Sequence, residues 1–145
     1  MEGYMKKKQS DYLVFRENSS LETFPDQEAI DRYQLFRRKN DHTVLIGKGK
    51  GCAVCLMLAS RFMPDELHLY PTFGTTIQEV LNEVSARVSF LYFICAPIKV
   101  YVDKDISALD LKKIKRLLLR ISSFQKEIVF TENTISNGNM SFPVN

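Results

Sequence analysis

Residues 43–60 read TVLIGKGKGCAVCLMLAS: a short apolar run, three glycines interleaved with two lysines, then a stretch that is apolar almost throughout. The first part has the composition of a strand buried on both faces, and the last that of a helix covered on nearly every side. A strand that turns straight into a helix needs backbone angles that glycine adopts without steric cost. A chain with this strand, turn and helix at its centre is built for a layered α/β domain.

The rest of the chain repeats that alternation. DYLVF at 11–15 reads as a first strand, and Pro25 and Asp26 open a helix with Ala29, Ile30, Tyr33 and Phe36 at helical spacing. HTVLIG is the second strand, followed by a helix that Pro64 stops, and ELHLY is the third. Thr76 and Glu79 have capping-box spacing ahead of Ile77, Val80, Leu81 and Val84. PIKVYVDKD is a fourth strand. Ser107 with Asp110 caps a helix whose inward stripe is Leu111, Ile114, Leu118 and Ile121, and KEIVFTE is a fifth strand. These elements predict an α/β fold: a mostly parallel central sheet of about five strands with right-handed helical connections. The expected organisation is a flexible segment at 1–10, one domain over 11–135 and a mobile tail at 136–145.

Composition narrows the function classes. Hydrophobic residues at 45% and charged residues at 26% describe an ordinary globular domain. A net charge of +3 is too small for a nucleic-acid footprint. VSFLYFICAPIKVYV is interrupted by Pro97 and Lys99, so no membrane span is expected. MEGYMKKKQS has no apolar core behind its lysines, and three cysteines at this length need no disulfide framework, which together favour a cytoplasmic setting. No cofactor or metal is implied, since three scattered cysteines without a nearby histidine do not supply a closed ligand set.

The glycine loop admits three readings. It is a plain turn, or an anion or nucleotide cradle in which Lys48 and Lys50 add charge at a helix N-terminus, or a degenerate nucleophile elbow. It lacks the Lys-Ser/Thr ending of a phosphate loop and the third glycine of the dinucleotide pattern, where Cys52 stands. The elbow pattern is G-x-S-x-G, and Gly47, Gly49 and Gly51 reproduce it with glycine in place of serine. LIGKGKGCAVCLMLASRFMPDELHLYP and ICAPIKVYVDKD resemble the C-terminal half of α/β-hydrolase fold proteins, across residues 11–135. The resemblance implies that Gly49 holds the nucleophile position and that Asp105, or Asp103 with a one-residue shift, holds the acid position. The nucleophile serine and the histidine expected after the last strand are both missing. The implied function is a catalytically degenerate, hydrolase-like domain, not an acyl-transfer enzyme, that acts through protein association with itself or with a partner chain.

Two further patterns compete. Cys52 and Cys55 form C-x-x-C at a helix start, with Cys95-Ala96-Pro97 further on, which resembles thioredoxin-like redox sites. The same cysteines also suit close packing in a crowded helix. On the alternating strands, Leu67 and Leu69 share a face with Ile98, Val100 and Val102, which leaves His68, Tyr70, Lys99 and Tyr101 on the other. If strand order is sequential, right-handed connections put every helix on one side, and this second face is the expected association surface.

Overall fold

A computed structural model of the chain describes residues 12–16, 27–71 and 91–131. In chain order they form β1 (Leu13–Phe15), α1 (Gln27–Lys39), β2 (Val44–Lys48), α2 (Gly51–Phe62), β3 (Glu66–Tyr70), a 3-10 turn (Leu91–Phe93), β4 (Ile98–Asp103), α3 (Ala108–Leu119) and β5 (Lys126–Thr131). The terminal segments at 1–10 and 136–145 and the stripe at 76–84 lie outside the described residues.

The five strands are all parallel and their order in the sheet is β1-β2-β3-β4-β5. Local signals place the ends of the elements. α2 closes with Met63 in the left-handed region at φ 56°, and Pro64 bars continuation. α3 opens on Ser107, whose hydroxyl accepts from the Asp110 amide at 3.1 Å.

Sequential order with right-handed connections sends each helix to the same side, and the core agrees. Ala29, Ile30 and Tyr33 of α1, residues 52–59 of α2, and Ile114, Leu117 and Leu118 of α3 share one cluster with Leu45, Leu67, Leu69, Ile98, Val100 and Val102. α2 is buried along most of its length because it lies centrally on that face. The opposite face is closed at its centre as well: Ile46 is 0% exposed, His68 2% and Tyr101 7% within the single chain. The expectation that this face stands open for a partner therefore fails at His68 and Tyr101.

Candidate functional site

The turn between β2 and α2 is a tight strand-to-helix connection at Gly47–Gly51. Gly49 lies at φ 54°, in the left-handed region that favours glycine. Its N–H donates to the Tyr70 carbonyl at 2.9 Å, and its carbonyl accepts from the Cys52 amide at 3.0 Å. The flanking glycines are needed for a different reason. A Cβ on Gly47 would meet the Gly51 carbonyl oxygen at 2.8 Å, and one on Gly51 would meet the Phe15 carbonyl oxygen at 2.1 Å. Strand, turn and helix are thus pressed together at −2 and +2 around a tip at positive φ.

The partners that would make such a tip catalytic are not gathered there. Asp103 ends β4, two strands away from β2, and its carboxylate accepts from the Asp105 amide at 3.3 Å while its carbonyl accepts from Ile106. The pair builds a turn into α3, and Asp105 is exposed. Both histidines of the chain lie elsewhere. His42 precedes β2 at the other end of the sheet, and with seven residues to Gly49 at about 3.3 Å each it is on the order of 20 Å away. His68 is buried on the sheet face opposite the described helices.

The anion-cradle reading calls on backbone donors in the same turn. The amides of Gly49, Cys52 and Ala53 bond to Tyr70, Gly49 and Lys50 carbonyls, so they are spent inside the fold. Lys48 and Lys50 are half-buried.

Cys52 and Cys55 are buried in α2, and the Cys52 thiol lies 3.5 Å from the Gly47 carbonyl oxygen. Burial pushes the Cys52 thiol up to about 12, and burial with the neighbouring Cys52 pushes Cys55 well above its ordinary value. A redox dithiol needs the opposite shift. Cys95 is exposed. Titration with an aromatic disulfide should therefore find one fast thiol in the native chain and three after denaturation. Fast reaction of Cys52 and Cys55 in the native chain would restore the redox reading.

Sequence reasoning missed a polar chain on the face opposite the described helices. Tyr101 Oη lies 2.8 Å from His68 Nδ1, His68 Nε2 lies 2.9 Å from Glu66 Oε1, and Glu66 Oε2 lies 2.7 Å from His42 Nε2. An ionised carboxylate only accepts, so His68 Nε2 carries the proton and Nδ1 accepts from the Tyr101 hydroxyl. Burial opposes the charge on Glu66, but the hydrogen bonds from His42 and His68 outweigh it and hold the carboxyl below its usual range. The Tyr101 ring stacks on Tyr70 at 4.5 Å, and burial raises both phenols, Tyr70 to about 12. Beside it, the Asp65 carboxylate accepts from the Thr43 amide at 2.6 Å and the Thr43 hydroxyl at 3.0 Å, which ties the start of β3 to β2. Glu-x-His on one strand does put both side chains on one face, and that was the available signal.

Of the four residues expected to form an association surface, two are thus internal and two, Tyr70 and Lys99, are partly accessible. The basic side chains of α3 mostly face water. Among the described residues no helix is long and apolar enough to cross a membrane, and no His, Cys, Asp and Glu group could hold a metal ion. No family model matches this chain, and no curated protein matches it.

Proposed function

We propose that the chain is a hydrolase-like α/β domain without acyl-transfer chemistry, whose work is association with protein. The observation that carries this reading is the turn at Gly47–Gly51. Its tip has a positive φ and its flanks exclude any Cβ, yet the tip residue has no hydroxyl to attack a carbonyl. No imidazole lies near enough to serve as base, so the geometry persists without its chemistry. Association is supported by where apolar surface remains. Of the seven large hydrophobic side chains exposed among the described residues, Leu109, Leu119, Phe124 and Phe130 fall in the last helix–strand unit.

The test is hydrolysis. A series of p-nitrophenyl esters from acetyl to octanoyl should be turned over no faster than in buffer. Gly49→Ser should leave that rate unchanged, because the base is also missing, and should cost about 1–2 kcal/mol of stability for a side chain at positive φ. Enzyme-dependent ester turnover by the natural chain would overturn the proposal.

A further inference from the structure

The two edges of the sheet are unlike. β1 has three residues, and Arg32 of α1 reaches its Val14 carbonyl at 3.4 Å and lies over the Phe15 ring at 4.8 Å. β5 has six residues, KEIVFT, with no proline, and Phe130 is 54% exposed. Protected edges are short, charged or interrupted, whereas long apolar ones invite another strand.

The hydrogen-bond phase of β5 defines what that edge offers. The Gln125 carbonyl accepts from Ile98 at 2.8 Å and the Thr131 carbonyl from Lys104 at 2.9 Å, so odd-numbered residues turn their backbone groups toward β4. Alternation then turns the N–H and C=O of Ile128 and Phe130 outward, where no described strand lies. An antiparallel copy related by a two-fold axis normal to the sheet must pair residues of the same parity, because the axis preserves the faces. Centring on Ile128 would set Lys126 against Phe130 and Glu127 against Val129, which is charge against apolar. Centring on Val129 sets Ile128 against Phe130 twice and Glu127 against Thr131. It also makes the two outward-facing residues a mutually hydrogen-bonded pair.

We infer that β5 pairs antiparallel with β5 of a second copy, with Val129 on the two-fold axis, so that two five-stranded sheets join into one of ten strands. This rests on the association reading above and names its partner. The register is self-complementary in hydrogen bonds and in its Ile128–Phe130 apolar contacts, which a generic partner strand need not match.

The experiment combines solution mass with a crosslink. Sedimentation velocity of the full chain should show a concentration-dependent dimer. Phe130→Pro removes an outward N–H that β4 does not use and should raise the dimer dissociation constant at least tenfold. In a Cys95→Ser background, Val129→Cys should give an intermolecular disulfide with oxidised glutathione. A non-hydrogen-bonded antiparallel pair sets Cα atoms about 4.5 Å apart, inside the disulfide range of about 4.4–6.8 Å. Thr131→Cys should not crosslink, since this register separates the two copies of residue 131 by four residues, about 13 Å. A dimer that Val129→Cys does not crosslink would overturn the β5 pairing and leave association standing through another surface. A monomer at every concentration, whether the edge is covered by the chain itself or bare, would overturn self-pairing. The non-catalytic reading would then be decided separately by the ester assay.

Discussion

Gly51→Ala is expected to be the most damaging alanine substitution among the three glycines of the β2–α2 turn. The new Cβ would sit 2.1 Å from the Phe15 carbonyl oxygen and 2.6 Å from its carbon. Both are backbone atoms of a strand already paired to β2, so neither can swing away as a flexible side chain would. Overpacking commonly costs about 1–3 kcal/mol, and a clash this short against backbone should exceed that range. Domains have only about 5–15 kcal/mol to lose. Gly47→Ala, with contacts of 2.8 Å and 2.9 Å, should cost less, and Gly49→Ala carries the penalty for positive φ, about 1–2 kcal/mol. Urea unfolding of the three variants should rank them 51, 47, 49 from worst to mildest. Equal losses would mean that the turn is not held by the close approach of β1 and α2.

Replacing His68 by phenylalanine should cost about 2–3 kcal/mol. The change leaves the buried Tyr101 hydroxyl without its acceptor and removes a donor from Glu66. Adding Tyr101→Phe should return part of the loss, because the stranded hydroxyl goes with it. The same site predicts a pH signature. Burial holds the His68 imidazole below its ordinary 6.5, against the pull of Glu66 and with some help from Lys99. As pH falls the unfolded chain therefore takes up a proton before the folded one does. The stability linked to neutral His68 is complete above about 6.5 and drains as pH falls toward the depressed folded value. His42 acts in the opposite direction. Its hydrogen bond to Glu66 raises its pKa, so its contribution is present below about 6.5 and is lost as pH rises through the folded value. Because His42 is largely exposed, its share is the smaller one. Unfolding free energy should thus decline from pH 7.5 to 5.5 in the natural chain. In His68→Phe that decline should vanish or reverse slightly. An unchanged slope would remove His68 as its source.

What the sequence made legible was local. ELHLY is β3 from first residue to last, and Ser107 and Asp110 form the cap their spacing implied. The three glycines marked a turn whose tip and flanks differ in the reason for needing them, and only coordinates separate positive φ at Gly49 from close approach at Gly47 and Gly51. The pairings on the face opposite the described helices were out of reach. His68 and Tyr101 stand 33 residues apart and Thr43 and Asp65 stand 22 apart, so neither contact leaves a periodic trace. Alternation correctly placed His68, Tyr70, Lys99 and Tyr101 together. It could not tell that the middle of their face is closed within one chain, since burial depends on what covers a face rather than on its own pattern. The free edge was equally hidden, because KEIVFT becomes an edge only once strand order is known.

Amide hydrogen exchange in β5 tests the central claim, association through this edge, on the unmodified chain. The amides of Glu127, Val129 and Thr131 turn toward β4 and should be protected at every protein concentration. Those of Ile128 and Phe130 turn outward, and their exchange should slow as concentration rises through the dimer dissociation constant, then recover on dilution. Exchange at Ile128 and Phe130 that stays the same from dilute to concentrated protein would contradict the account.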